Sequence, residues 1–179
     1  MTRISRTIGS GTAALSLALA AGIALPASAS AAAPAGAATT GEPVPAPPFT
    51  LPAGEVCPFA VHGEYPINEQ RGYTYTEADG SVDEVVVGRL VGVFTNVATG
   101  KSVRRDLSGN GFFRTAPDGT LLLAADGPAL IGFHAGDQPQ KQLEINGAQS
   151  QVVVRFAASG QRTRLLQHGP YEDLCQTLR

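Results

Sequence analysis

The chain is poor in the residues that most often carry chemistry, having two cysteines and three histidines among 179 residues. Neither Cys57 nor Cys175 has a second Cys or a His at ligand spacing, which argues against a zinc-finger site or an activated thiol. His62, His134 and His168 lie in separate runs, with no H-x-H or H-E-x-x-H pattern to gather them on a metal. The basic residues form no stripe. Arg104-Arg105 and Arg162/Arg164 are short pairs interrupted by acids elsewhere, so nucleic acid is not an expected partner. No G-x-S-x-G elbow, phosphate-cradling loop or Ser-x-x-Lys occurs, and the common hydrolase and nucleotide classes lack their local signatures. No cofactor and no metal is expected.

The N-terminal third separates from the rest by composition. Residues 1–31 read as a secretory signal peptide: Arg3 and Arg6 form the basic start, residues 8–25 an apolar middle diluted by Gly and Thr, and Ala27-Ser28-Ala29 with Ala29-Ser30-Ala31 two overlapping cut sites. The dilution argues against a stable span, so no transmembrane anchor is expected after cleavage. Residues 32–53 are Ala, Thr, Gly and Pro, too poor in apolar surface to offset their ordering entropy, and read as a disordered tether. Removing Arg3 and Arg6 makes the formal charge of −2 more negative by two.

What remains, residues 54–179, is long enough for a single β domain with one core. Its two cysteines stand at its two ends, and in an exported chain they read as a disulfide. A loop of roughly 120 residues closed in this way stabilises a fold by about 4 to 5 kcal/mol on the chain-entropy account.

Within that domain short β-like runs alternate with turn dipeptides, among them Asp79-Gly80, Asp118-Gly119, Asn146-Gly147 and Ser159-Gly160. Asx-Gly between apolar runs is a strong hairpin signal, because both residues tolerate positive φ. The organising stretch is 83–96, DEVVVGRLVGVFTN, which reads as a long bent strand. Val85, Val87, Val91 and Val93 share one face with Arg89, and Val86, Gly88, Leu90, Gly92 and Phe94 the other. Glycines in a β-branched row are where a strand coils or admits another backbone. The predicted fold is all-β, a single antiparallel meander closed as a small barrel, with a two-sheet β-sandwich as the alternative and a short helical turn at 170–178. The predicted interior includes Phe94, Leu107, Phe112 or Phe113, Leu121 to Leu123, Ile131, Phe133, Val152, Val154, Phe156 and Leu165.

Together, the signal, the Pro/Ala tether, the Cys57-Pro58-Phe59 opening, the Thr95-Asn96-x-x-Thr99-Gly100-Lys101 turn and the Asp173-Leu174-Cys175 tail resemble small secreted β-proteins of unknown function from actinomycete-type bacteria. The resemblance spans the whole mature domain and rests on structural motifs. It implies export and fold, and no chemistry.

Candidate site residues follow from side-chain type. His62 and Glu64 share a strand face, where a carboxylate could orient an imidazole as an acid/base pair. Asp106 to Gly111 copies the first half of a calcium loop but lacks the bidentate acid at its end, and a hairpin turn accounts for the same residues. Arg89 and Arg105, each among valines, could hold a ligand carboxylate, and Phe94 could line an apolar pocket. Two functions of different class result. One is a secreted non-enzymatic module binding a small apolar ligand or a cell-envelope protein; the other is a barrel enzyme isomerising or cyclising such a ligand, with His62, Glu64, Arg89 or Tyr73/Tyr75 as its working groups. Convergence of two titratable groups in one internal pocket separates the two.

Overall fold

The structure, a computed structural model, describes residues 41–179; the predicted signal peptide and residues 32–40 of the tether lie outside the described residues. The chain forms β1 (Glu42–Pro43), β2 (Phe49–Leu51), β3 (Val61–Thr76), β4 (Val82–Asn96), β5 (Ser102–Asp106), β6 (Asn110–Thr115), β7 (Leu121–Asp126), β8 (Leu130–Phe133), β9 (Gln142–Asn146), β10 (Gln151–Phe156), β11 (Arg162–His168), β12 (Tyr171–Asp173) and the single turn α1 (Leu174–Thr177). Asx-Gly turns behave as their chemistry requires: Asp118 Oδ1 accepts from Thr120 N at 2.8 Å while Gly119 takes a φ of 82°.

The all-β expectation holds, and the barrel does not. Nine strands form one antiparallel sheet with the path β1-β3-β4-β6-β7-β10-β11, β2 joining β3 and β5 joining β4, and neither end of it pairs with the other. A second sheet, β12-β9-β8, lies against it in a sandwich-like arrangement, the alternative named above. The physical reason is the second sheet itself. Leu143 and Ile145 of β9 belong to one core, with Val61, Leu90, Phe94 and Leu107. Ile131 and Phe133 of β8 belong to another, with Leu123, Ala125, Val152 and Val154. Since Ile131 stands opposite Glu144 and Leu130 opposite Ile145, these cores occupy opposite faces of the small sheet. The large sheet wraps a guest instead of closing on itself.

That wrapping is made possible by β4. Its first half, Val82 to Val86, pairs with β6, and its second half, Val91 to Thr95, pairs with β5. Gly88 lies between, at φ 130°, and a Cβ there would stand 2.4 Å from the carbonyl oxygen of Glu69. Only glycine permits both the backbone angle and the approach. Two wings result: one built on the early part of β3 with β2 and β5, the other running from the later part of β3 through β6, β7 and β10 to β11.

Within residues 41–53, expected in the tether, Glu42–Pro43 and Phe49–Leu51 pair with β3. Glu42 faces Gly72, and Phe49 to Leu51 face Gly63 to Val61. Asn68 clamps the segment between them, donating to the Ala46 carbonyl at 2.8 Å and accepting from its N–H at 3.0 Å. Phe49 joins Tyr65 and Phe94 in a cluster with centroids 6.3 to 6.4 Å apart. Of the predicted interior, Phe113 and not Phe112 packs on the second core, Leu122 takes the opposite face of β7 from Leu123, and Leu165 is 54% exposed at a register shift in β11.

An ion pair joins the far wing to the small sheet. Arg164 Nη1 reaches both oxygens of Glu144, at 2.9 and 2.6 Å, and its guanidinium lies over the rings of Phe133 and Tyr171. Burial pushes the Glu144 carboxyl above its ordinary range despite Arg164.

Cys57 and Cys175 are bonded, with Cα atoms 5.3 Å apart across a separation of 118 residues. The bond pins α1 beneath the first wing, where Leu174 and Leu178 are fully buried and Asn96 Nδ2 donates to the Leu178 carbonyl at 3.0 Å. Cys57→Ser is expected to lower stability by about 3 to 5 kcal/mol in non-reducing urea melts; a midpoint equal to the parent's would contradict this role.

Candidate functional site

Where the two wings meet the small sheet there is a pocket of 210 Å³. Its floor is set by one cross-strand row: Val86, Gly111 and Ala125 are consecutive neighbours in β4, β6 and β7, and the two small residues leave the space open. Leu90, Leu107, Phe113 and Leu123 form apolar walls, Ala129 and Leu130 the small-sheet side, and Ala46 of the clamped segment the rim. Tyr65 and Gln70 supply its polar side chains; Asn110 stands at its edge, where Gly111 and Phe113 take the inner face of β6.

A β-bulge brings Tyr65 and Gln70 to the same pocket. Glu64 pairs with Val93 but Ile67 with Val91, so β3 carries one extra residue at Tyr65-Pro66. Side chains facing inward are odd-numbered before the bulge, as at Val61 and Tyr65, and even-numbered after it, as at Gln70. Burial pushes the Tyr65 hydroxyl up to about 12. It is neutral near pH 7, a hydrogen-bond donor and acceptor and not a base.

His62 and Glu64 fall on the outward face, as alternation from Val61 requires. They line a groove outside the sandwich with Pro48, Pro66 and Asn68, and His62 Nδ1 lies 3.0 Å from Thr50 Oγ1. Phe94 is fully buried in the first core. Arg89 is exposed at the bend of β4, near Asp106. The Asp106 carboxyl is held below its usual range, first by hydrogen bonds from Ser108 and less by the charge of Arg89; residues 107–109 are not the expected hairpin turn but a link between β5 and β6, which pair with successive parts of β4 and not with each other. Arg105 has its fork filled from within: Nε and Nη2 donate to Glu172 Oε2 and Oε1 at 2.7 and 2.8 Å. Among the described residues, no three or more His, Cys, Asp or Glu side chains are arranged to hold a metal ion, and no helix is long and apolar enough to cross a membrane.

The structure thus brings together residues that the sequence did not mark as a site. Tyr65 and Gln70 are unremarkable by type, and the signal that could have found them was Pro66, a residue that central strands tolerate only at a bulge.

The comparisons bring no relative to this geometry: no family model, no curated protein and no solved structure matches the chain.

The Arg105–Glu172 pair yields a pH test. Glu172 is held below its ordinary 4.5, first by the Arg105 hydrogen bond, against its partial burial. Unfolding therefore takes up a proton, so the contribution is complete above the ordinary value and is lost as pH falls through the lower, folded one. In urea melts the destabilisation caused by Arg105→Gln is expected to be largest near neutral pH and to shrink as the pH falls below the ordinary 4.5 of a glutamate. A deficit constant with pH would contradict this assignment.

Proposed function

We propose that this protein is an exported, non-enzymatic binding module that holds a small apolar ligand in the pocket between its sheets. The observation that carries the reading is the lining: apolar walls, two polar side chains, Tyr65 and Gln70, and Tyr65 as the single titratable one. With the Tyr65 hydroxyl pushed up to about 12 by burial, it can orient a ligand by hydrogen bonding but cannot take a proton near neutrality. The pocket is smaller than the roughly 300 Å³ at which drug-sized sites begin, which suits a single ring or a short acyl chain. Export is supported by the N-terminal sequence pattern and by a disulfide of the kind that persists in oxidising compartments. An isomerase or cyclase would need a second acid or base in the pocket, and His62 and Glu64 line the outer groove instead.

Indole, with one ring system and one N–H donor, is a suitable probe. Titration followed by methyl NMR is expected to move Leu123, Ala125 and Leu130 saturably in the parent and not in Ala125→Leu, which fills the floor at a cost of no more than about 3 kcal/mol. Native mass spectrometry of protein from its own culture medium is expected to show a co-purifying mass. Methyl signals untouched by indole, together with a bare protein mass, would overturn the reading.

A further inference from the structure

The side of the large sheet turned away from both cores carries a row of its own. Tyr73, Val85, Phe112, Ala124, Val153 and Leu166 are successive cross-strand neighbours through β3, β4, β6, β7, β10 and β11. None belongs to either core. Leu166 is 47% exposed, and five of the six line an open groove of 380 Å³. Rows rich in polar side chains flank it. On one side run Asn110, Asp126 and Gln151, and on the other Asp83, Arg114, Leu122 and Arg155.

We propose that this face packs against the same face of a second copy of the chain, about a two-fold axis parallel to the strands and midway between β6 and β7. The argument is self-complementarity. Such an axis lays β6 of one copy over β7 of the other and β4 over β10, while keeping each row over its own equivalent. Phe112 then meets Ala124, large against small, and Val85 meets Val153. In the flanking rows Asp83 meets Arg155 and Asn110 meets Asp126, an ion pair and a hydrogen-bonding pair each formed twice. Within one chain Asp83 and Arg155 are three strands apart, roughly 14 Å, too far to pair directly. Asp83, 13% exposed, has Oδ2 3.5 Å from Arg114 Nη1 and a buried Oδ1 that accepts no hydrogen bond within the chain; Arg155 is exposed. A ligand of another kind would have no reason to match this alternation of size and charge about the middle of the sheet.

Six strands at ~4.8 Å spacing and three residue rows cover roughly 500 Å² per copy, so the contact lies at the lower limit for a specific interface and the dimer should be a weak one. Sedimentation velocity on the protein purified from its own host, from about 1 to about 300 µM, is expected to show a reversible monomer–dimer equilibrium. Arg155→Asp should weaken it at least about tenfold by setting like charges opposite each other. Asp83→Arg combined with Arg155→Asp should restore it, which no effect confined to one chain predicts. Ala124→Arg should give monomer with an unchanged thermal midpoint. A monomer throughout the range, a higher oligomer, or a double variant no better than Arg155→Asp would each overturn the proposal. The pocket between the sheets lies on the other face, so indole binding is expected to be the same in all these variants.

Discussion

The backbone contact at Gly88 is the constraint on which the arrangement depends. There β4 exchanges one lateral partner for another, and the carbonyl of Glu69 approaches to a distance that a side chain would forbid. A straight β4 would carry one flat sheet with one apolar face. The bent strand gives a sheet with two wings, each able to bury a different side of β8 and β9. Two modest cores then do what a single core does in a closed barrel, and the small sheet is covered on both faces.

The remaining long-range links serve that same geometry. The disulfide and the Asn96–Leu178 hydrogen bond hold the C-terminal turn under the first wing. Arg105 with Glu172 ties β5 to β12, and Arg164 with Glu144 ties β11 to β9. The two ion pairs are unlike in kind. Glu172 keeps partial contact with water and gains from its partner, so its carboxyl is lowered; Glu144 is nearly sealed, and desolvation outweighs Arg164. Glu144 is therefore better understood as a group that demands its arginine than as a source of net stability.

The pocket between the sheets follows from the same bend. It opens where the wings diverge, and its volume comes from Gly111 and Ala125 standing side by side in the register. The β3 bulge, by shifting alternation one residue, delivers Tyr65 and Gln70 to it from a single strand.

Local chemistry was legible in the linear chain. Asx-Gly turns, alternating apolar runs and two terminal cysteines determined an all-β domain, its central strand at Val82–Asn96 and its disulfide, because each depends on neighbours in sequence or on a pairing with no competitor. For residues 41–53, read as part of the tether, the pairing with β3, the Asn68 clamp and the packing of Phe49 all involve residues distant in sequence, which composition does not reveal. Arg105 could be recognised as a residue needing a carboxylate, but not that Glu172, 67 residues away, would supply it. Whether the sheet closed on itself or around another, which face of β3 each residue took, and which small side chains met to leave a pocket were decided only in three dimensions. The sequence shows that a strand can bend at a glycine or slip by one residue, but which surfaces then meet depends on partners far away along the chain.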